Sequence, residues 1–180
     1  MARYVALLRG INVGRAKRVA MADLRWIVEE LGYADVRTLL NSGNVAFSGP
    51  RGGTAGIASR IEAALASRVG VESRTIVLTD RELAGIVAEN TLTGVAKDPS
   101  RLLVVVLRAA RDRRLLEPLL EESWRPEAFA LGKRAAYVWC PKGVLESRLV
   151  EAVGRRLKDA HTIRNWSTTT KLAALAGIAS

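Results

Sequence analysis

Val36-Arg37-Thr38-Leu39-Leu40-Asn41-Ser42-Gly43-Asn44-Val45-Ala46-Phe47 is the stretch that decides the fold. Val36 to Leu40 and Val45 to Phe47 read as short strands. Between them, Asn41-Ser42-Gly43-Asn44 supplies glycine and asparagine, the residues that accept positive φ in a hairpin turn. On both sides the apolar period then changes from that of a strand to that of a helix. Upstream, Met21, Leu24, Val28 and Leu31 fall at helical spacing before the stop signal Gly32, and Tyr4 to Leu8 is a strand. Downstream, Ile57, Ile61, Leu65 and Val69 mark a second helix closed by Gly70, and Thr75 to Leu78 a fourth strand. The order β-α-β-β-α-β is the split βαβ arrangement of ferredoxin-like folds. Thr79-Asp80-Arg81-Glu82 has capping-box spacing and opens a further helix.

Residues 90–101 break the periodicity with Thr, Gly, Asp, Pro and Ser and form the linker candidate. After them the order returns. Leu102 to Leu107 is a strand, Leu115, Leu116, Leu119 and Leu120 a helix, and Ala128 to Leu131 with Ala135 to Trp139 a hairpin around Gly132-Lys133-Arg134. Leu145, Leu149, Val153 and Leu157 make a helical stripe, His161 to Arg164 a fourth strand, and Ser167 or Thr168 caps a last helix through Leu172 and Leu175. The expectation is an α+β protein of two tandem ferredoxin-like (alpha-beta plait) domains. Residues 1–95 would form the first with its connecting helix, and 96–180 the second with a C-terminal helix. Tyr4 to Leu8, Leu102 to Leu107 and Ala135 to Trp139 are apolar at nearly every position, so both faces of these strands should be covered. A second domain or a second copy of the chain is the expected cover, and a homo-oligomer stays open.

Composition narrows the chemistry. The 180 residues contain one cysteine, Cys140, and one histidine, His161, which excludes a disulfide framework and a cysteine-rich zinc site and leaves no metal or cofactor expected. Both are expected to pack inside strands. Mean hydropathy is +0.09, no run has the ~20 apolar residues of a membrane span, and Met1-Ala2-Arg3 leads into a strand rather than a signal peptide. A cytoplasmic protein without membrane contact follows as the expectation. The net charge is +10, and basic proteins gain affinity for phosphates by releasing counterions. Residues 1–95 hold 12 basic and 9 acidic side chains, and 96–180 hold 16 and 9, so the surplus lies mostly in the second half. Only six of the 28 basic residues are lysine, an arginine bias that a GC-rich coding sequence also produces.

Two segments are candidate ligand sites. Arg9-Gly10-Ile11-Asn12-Val13-Gly14-Arg15-Ala16-Lys17-Arg18 joins glycines to four basic side chains just before a helix, whose first N–H groups attract anions. It is neither a Walker A loop nor G-x-G-x-x-G, and the plain alternative is a solvated turn. Arg164-Asn165-Trp166-Ser167-Thr168-Thr169-Thr170-Lys171 places an arginine, an amide, an indole and hydroxyls at a second helix start, where ordinary capping would use the same residues. Tyr4 and Phe47 could lie side by side like the stacking rings of an RNA-recognition sheet, but two buried faces make them core. No paired carboxylates, nucleophile elbow or metal spacing points to a reaction.

With Leu8-Arg9-Gly10-Ile11-Asn12-Val13-Gly14, Ser42-Gly43-Asn44 and Arg164-Asn165-Trp166 in this order, the chain resembles, over essentially its whole length, the bacterial family of domain of unknown function 1697 (DUF1697). The resemblance implies tandem ferredoxin-like domains and puts the family motifs on Arg9, Gly10, Asn12, Gly14, Ser42, Gly43, Asn44, Arg164, Asn165, Trp166, Thr168 and Lys171. Three positions depart from the family pattern. Ala20 stands where a proline is common, Arg148 replaces a lysine and so puts a planar fork in place of a point charge, and Ser167 replaces an asparagine. The leading expectation is a protein that binds a phosphate-bearing or other anionic ligand, a small molecule or nucleic acid. The ligand would be held by Arg9, Gly10, Asn12, Gly14, Lys17, Ser42 and Asn44 together with Arg164, Asn165, Trp166, Thr168 and Lys171, with both arginines reaching solvent. An enzyme acting on a small anionic metabolite between the domains, and a scaffold protein without a small ligand, are the alternatives.

Overall fold

The computed structural model describes residues 1–178. Its strands form two four-stranded antiparallel sheets. The first sheet contains β1 (Ala2–Leu8), β2 (Ala34–Leu39), β3 (Asn44–Gly49) and β4 (Thr75–Thr79) in the order β2-β3-β1-β4, with α1 (Met21–Glu30) and α2 (Thr54–Val69) as crossovers. The second contains β5 (Leu102–Leu107), β6 (Ala128–Leu131), β7 (Ala135–Trp139) and β8 (His161–Asn165) in the equivalent order β6-β7-β5-β8. Helix α3 (Asp80–Ala88) follows β4, α4 (Arg148–Leu157) precedes β8, and α5 (Trp166–Leu175) follows it. The architecture is α+β with two similar halves, consistent with tandem ferredoxin-like domains. Met1–Leu83 and residues 172–178 form one compact unit, and Ala84–Lys171 forms the other. This division does not fall in the linker 90–101.

Each central strand is apolar on both faces because both faces are packed. In the first unit, Tyr4, Ala6, Leu8, Val45 and Phe47 meet Leu24, Ile27 and Val28 of α1 and Ile57, Ile61 and Leu65 of α2. Tyr4 and Phe47 do lie side by side, with ring centroids 5.6 Å apart, and both are 2% exposed beneath these helices. Val5 and Leu7, on the other face, are as dry. Residues 172–178 belong to this unit, and on that face the Arg3 guanidinium donates to the Ala176 carbonyl at the C-terminal end of α5 (3.2 Å). In the second unit Leu103, Val105, Leu107, Ala136 and Val138 pack on Leu149, Val153 and Leu157 of α4. Leu102, Val104 and Val106 face the other way and are equally buried. There Tyr137 reaches α3, its hydroxyl donating to the Ile86 carbonyl, and burial holds the phenol well above its ordinary pKa. Cys140 and His161 are both buried; His161 packs inside β8 as expected, whereas Cys140 lies just past the end of β7 and not within a strand.

The capping box forms as its spacing required. Thr79 Oγ1 accepts from the Glu82 N–H (3.1 Å), and the Glu82 carboxylate accepts from the Thr79 N–H (2.9 Å). Three other expectations are corrected. Leu115 to Leu120 is not an α-helix but part of two 3-10 turns, Ala110–Leu115 and Glu117–Glu121. Pro118 has no N–H to give the carbonyl four residues back, and its ring obstructs that turn. Only Leu116 and Leu119 of the four leucines are buried. Leu145 is not part of the α4 stripe, because Ser147 caps the helix, its hydroxyl accepting from the Val150 N–H, and leaves Leu145 outside and fully exposed. Finally, α5 is capped neither by Ser167 nor by Thr168. Asn165 does it, ahead of both, its Oδ1 accepting from the Thr168 N–H (2.8 Å).

The α4 correction yields a stability prediction. Leu149→Ala should cost about 2–5 kcal/mol, the range for deleting a buried leucine, whereas Leu145→Ala should change stability by less than about 0.5 kcal/mol. Urea unfolding of the two variants separates them, and similar midpoints would contradict this placement of the helix start.

Candidate functional site

The loop after β1 runs through four left-handed residues, Gly10 (φ 68°), Asn12 (55°), Gly14 (63°) and Lys17 (51°). For lysine this conformation costs roughly 1–2 kcal/mol, and for asparagine, whose short amide can bond locally, less. Hydrogen bonds centred on Asn12 offset that strain. Its N–H donates to the Lys17 carbonyl (3.0 Å), its carboxamide donates to the carbonyls of Val19 (2.8 Å) and Asn41 (2.7 Å), and Oδ1 accepts from the Val19 N–H (2.8 Å). The bond to Asn41 ties the loop to the β2–β3 hairpin. Gly43 closes the join from the other side, its carbonyl accepting from the Leu8 N–H (2.9 Å). A Cβ on Gly43, which sits at φ 86°, would lie 2.7 Å from Ile11 Cδ1 and 2.9 Å from Leu8 Cβ. Asn44 is fully buried and donates to the Leu39 carbonyl and to Ser42 Oγ.

Arg9, Gly10, Asn12, Gly14 and Lys17 are therefore gathered with Ser42 and Asn44 into one interlocked body. Within it the amides of Asn12 and Asn44 serve the backbone, while Arg15, Lys17 and Arg18 are exposed. Two residues that the sequence did not single out complete the surface. Because Leu8 pairs with Thr75, the residue before β4 lies beside the residue after β1. The Arg9 N–H donates to the Arg74 carbonyl (2.9 Å), and the Ser73 hydroxyl donates to the Arg9 carbonyl (2.8 Å). Lys17, Arg74 and Ser73 then line a cleft of ≈ 390 Å³ with Glu62 and Glu72. The split βαβ order was the signal for this pairing, since it makes the first and fourth strands neighbours. Next to the loop, α1 begins at Met21 behind Ala20, an N-cap residue that offers no side-chain hydrogen bond, and Asp23 is the acid of its first turn.

The second motif is used differently. The Arg164 guanidinium is half-buried rather than solvent-reaching, and donates to Thr162 Oγ1 (2.8 Å) and the Ile163 carbonyl (2.9 Å). Burial pushes its pKa down to about 10, which leaves it charged at neutral pH. Asn165 caps α5, the Thr169 hydroxyl donates back to the Asn165 carbonyl (2.9 Å), and Thr168 is buried. Trp166 is half-buried and Lys171 exposed. The start of α4 has a carboxylate of its own, because Glu127 accepts from the Ser147 hydroxyl and from the Leu149 N–H (3.3 Å). Among the described residues no cluster of His, Cys, Asp and Glu could hold a metal ion, and no helix is long and apolar enough to cross a membrane.

Asn12→Ala should cost about 2–3 kcal/mol, since it deletes three hydrogen bonds worth about 1 kcal/mol each. Asn12→Asp, nearly the same shape but unable to donate to Val19 and Asn41, should cost at least as much. Chemical denaturation at neutral pH checks both, and a neutral Asn12→Asp would show that packing, not the amide hydrogens, holds the loop.

Comparison with known proteins gives the geometry its context. A solved structure of the conserved bacterial protein SP0830 from Streptococcus pneumoniae superposes with a TM-score of 0.78 at 23% identity, covering 97% of this chain and 98% of that one. At that identity the likeness establishes the fold. No curated protein matches the sequence. The profile of the family described as "Protein of unknown function (DUF1697)" matches residues 1–137, a span that contains the whole interlocked loop and hairpin. The chain belongs to the DUF1697 family.

Proposed function

We propose that the protein binds a phosphate-bearing anionic ligand through the loop of residues 9–18, and that it does so in the reducing cytoplasm, where its buried Cys140 stays a thiol. One observation carries the reading. Arg15, Lys17 and Arg18 are exposed on a backbone fixed by Asn12, and among the described residues none of the three pairs with a carboxylate. Surface arginines elsewhere do take partners, as Arg25 does with Glu29 and Arg113 with Glu117. Cations left unpaired on a fixed frame lose little conformational freedom when a ligand arrives, which lowers the cost of binding. The uncapped first turn of α1 adds N–H groups suited to an anion.

Thermal unfolding with inorganic pyrophosphate or a nucleoside triphosphate tests the proposal. A ligand at about a hundredfold excess over its Kd stabilises the native state by about 2.7 kcal/mol, which raises the melting temperature by several degrees. R15A/K17A/R18A should abolish that rise while the free variant melts within a degree or two of the unsubstituted protein, since exposed charges contribute little to stability. An equal rise in the triple variant would place binding elsewhere.

A further inference from the structure

The two units share more than strand order. In the first, the exit of β1 is held by Leu8 N–H on the Gly43 carbonyl and Arg9 N–H on the Arg74 carbonyl. In the second, Leu107 N–H donates to the Arg134 carbonyl and Arg108 N–H to the Ala160 carbonyl, both at 3.0 Å. The same end of each sheet is thus made of the first strand's exit, the hairpin turn and the entry to the fourth strand. In the second unit that end is tightly assembled. Arg113 Nε donates to the Gly132 carbonyl (3.1 Å), and Arg156 Nη1 to the Leu115 carbonyl (3.4 Å), fastening the 3-10 turn to the hairpin and to the last turn of α4.

On this end Arg108, Arg111, Arg114, Lys133 and Lys158 are exposed and Arg113, Arg134 and Arg156 lie among them, against Asp112, Asp159, Glu117, which pairs with Arg113, and Glu89, which accepts from the Lys133 N–H, as acids. The opposite end, around the start of α4, is more evenly balanced, with Glu127, Glu146 and Asp98 set against Arg101, Arg125, Lys142 and Arg148. More of the second half's positive surplus therefore lies at the end equivalent to the 9–18 loop than at the opposite end.

We infer that this end of the second unit is a phosphate-contacting surface for a nucleic-acid strand. The inference rests on the proposed role of the first unit's loop and names its ligand class. Cations spread over an open end suit a polymer with regularly repeated phosphates, whereas a small phosphate needs donors converging on one point. Both faces of both central strands are buried, so neither central strand offers an aromatic platform to bases. Binding then runs through the phosphates and is indifferent to base sequence.

Fluorescence anisotropy with a labelled single-stranded oligonucleotide, over a salt series, tests this. R111A/R114A/K133A/K158A should weaken binding at least tenfold and flatten the slope of log K against log salt by about 3, at roughly 0.7 for each phosphate no longer neutralised on a single strand. A quadruple variant with unchanged affinity and slope overturns the inference, and if R15A/K17A/R18A still loses binding, the first unit's role stands alone. Loss in the quadruple variant with none in the triple variant would keep this surface and remove the proposed function of the loop. A pyrophosphate-induced thermal shift without oligonucleotide binding would make the ligand small and overturn only the nucleic-acid assignment. Competition by polyglutamate as effective as by unlabelled oligonucleotide would also overturn it, in favour of acidic protein partners.

Discussion

Val5 and Leu7 point to one side of the first sheet and Tyr4, Ala6 and Leu8 to the other, and every one of them is at most 2% exposed. Leu102 to Leu107 repeats the situation in the second sheet. A strand apolar on both sides has to be covered twice, and the α1–α2 and α4 layers cover each sheet only once. The rest of the architecture answers that requirement. The end of α3 supplies the acceptor for Tyr137 on the second face of one sheet, and residues 172–178 lie with the second face of the other. With the faces of the central strands committed to packing, the loops at the sheet ends stay open, with Arg15, Lys17 and Arg18 exposed in the first unit and Arg108, Arg111, Arg114, Lys133 and Lys158 in the second.

Strand and helix order was legible because it depends on local patterns: the hairpin turn at Asn41–Asn44, the glycine stops at Gly32 and Gly70, and the capping box at Thr79. What could not be read depended on neighbours distant in sequence or on one residue overriding a pattern. The four leucines around 115–120 have helical spacing, but Pro118 breaks the hydrogen-bond ladder, and the stripe of Leu145, Leu149, Val153 and Leu157 says nothing about the cap at Ser147. Glu127 is remote in sequence from the helix start it serves, and only the tertiary structure brings it to Ser147 and Leu149.

The candidate site was half legible. The 9–18 loop was singled out for its glycines and cations, and its tie to Ser42-Gly43-Asn44 shows why these two motifs stand together. In both motifs the side chains with the most hydrogen-bonding capacity, Asn12 and Asn44, are spent on the backbone and a neighbouring hydroxyl and so act as fasteners. The cations need no particular neighbours to be exposed, and their chemistry is visible in sequence only as a count. Arg164 is the opposite case: its strand neighbours Thr162 and Ile163 take its guanidinium, which residue type alone would have left in solvent.

The bond between Tyr137 and Ile86 bears on where this chain can be cut. The stretch 90–101 has the composition of a hinge, yet Ile86 and Glu89 lie before it and serve what comes after. Glu89 accepts from the Lys133 N–H (2.8 Å) at the β6–β7 turn, and the Ile86 carbonyl is the partner of a phenol buried to 0% exposure. A fragment beginning at residue 96 would keep all four strands of the second sheet and lose both anchors, leaving a buried hydroxyl with no acceptor and a hairpin turn with no carboxylate. Such a piece would express the whole plait and still lack its lid, so the unit that can be moved, duplicated or grafted intact starts inside α3 rather than at the linker.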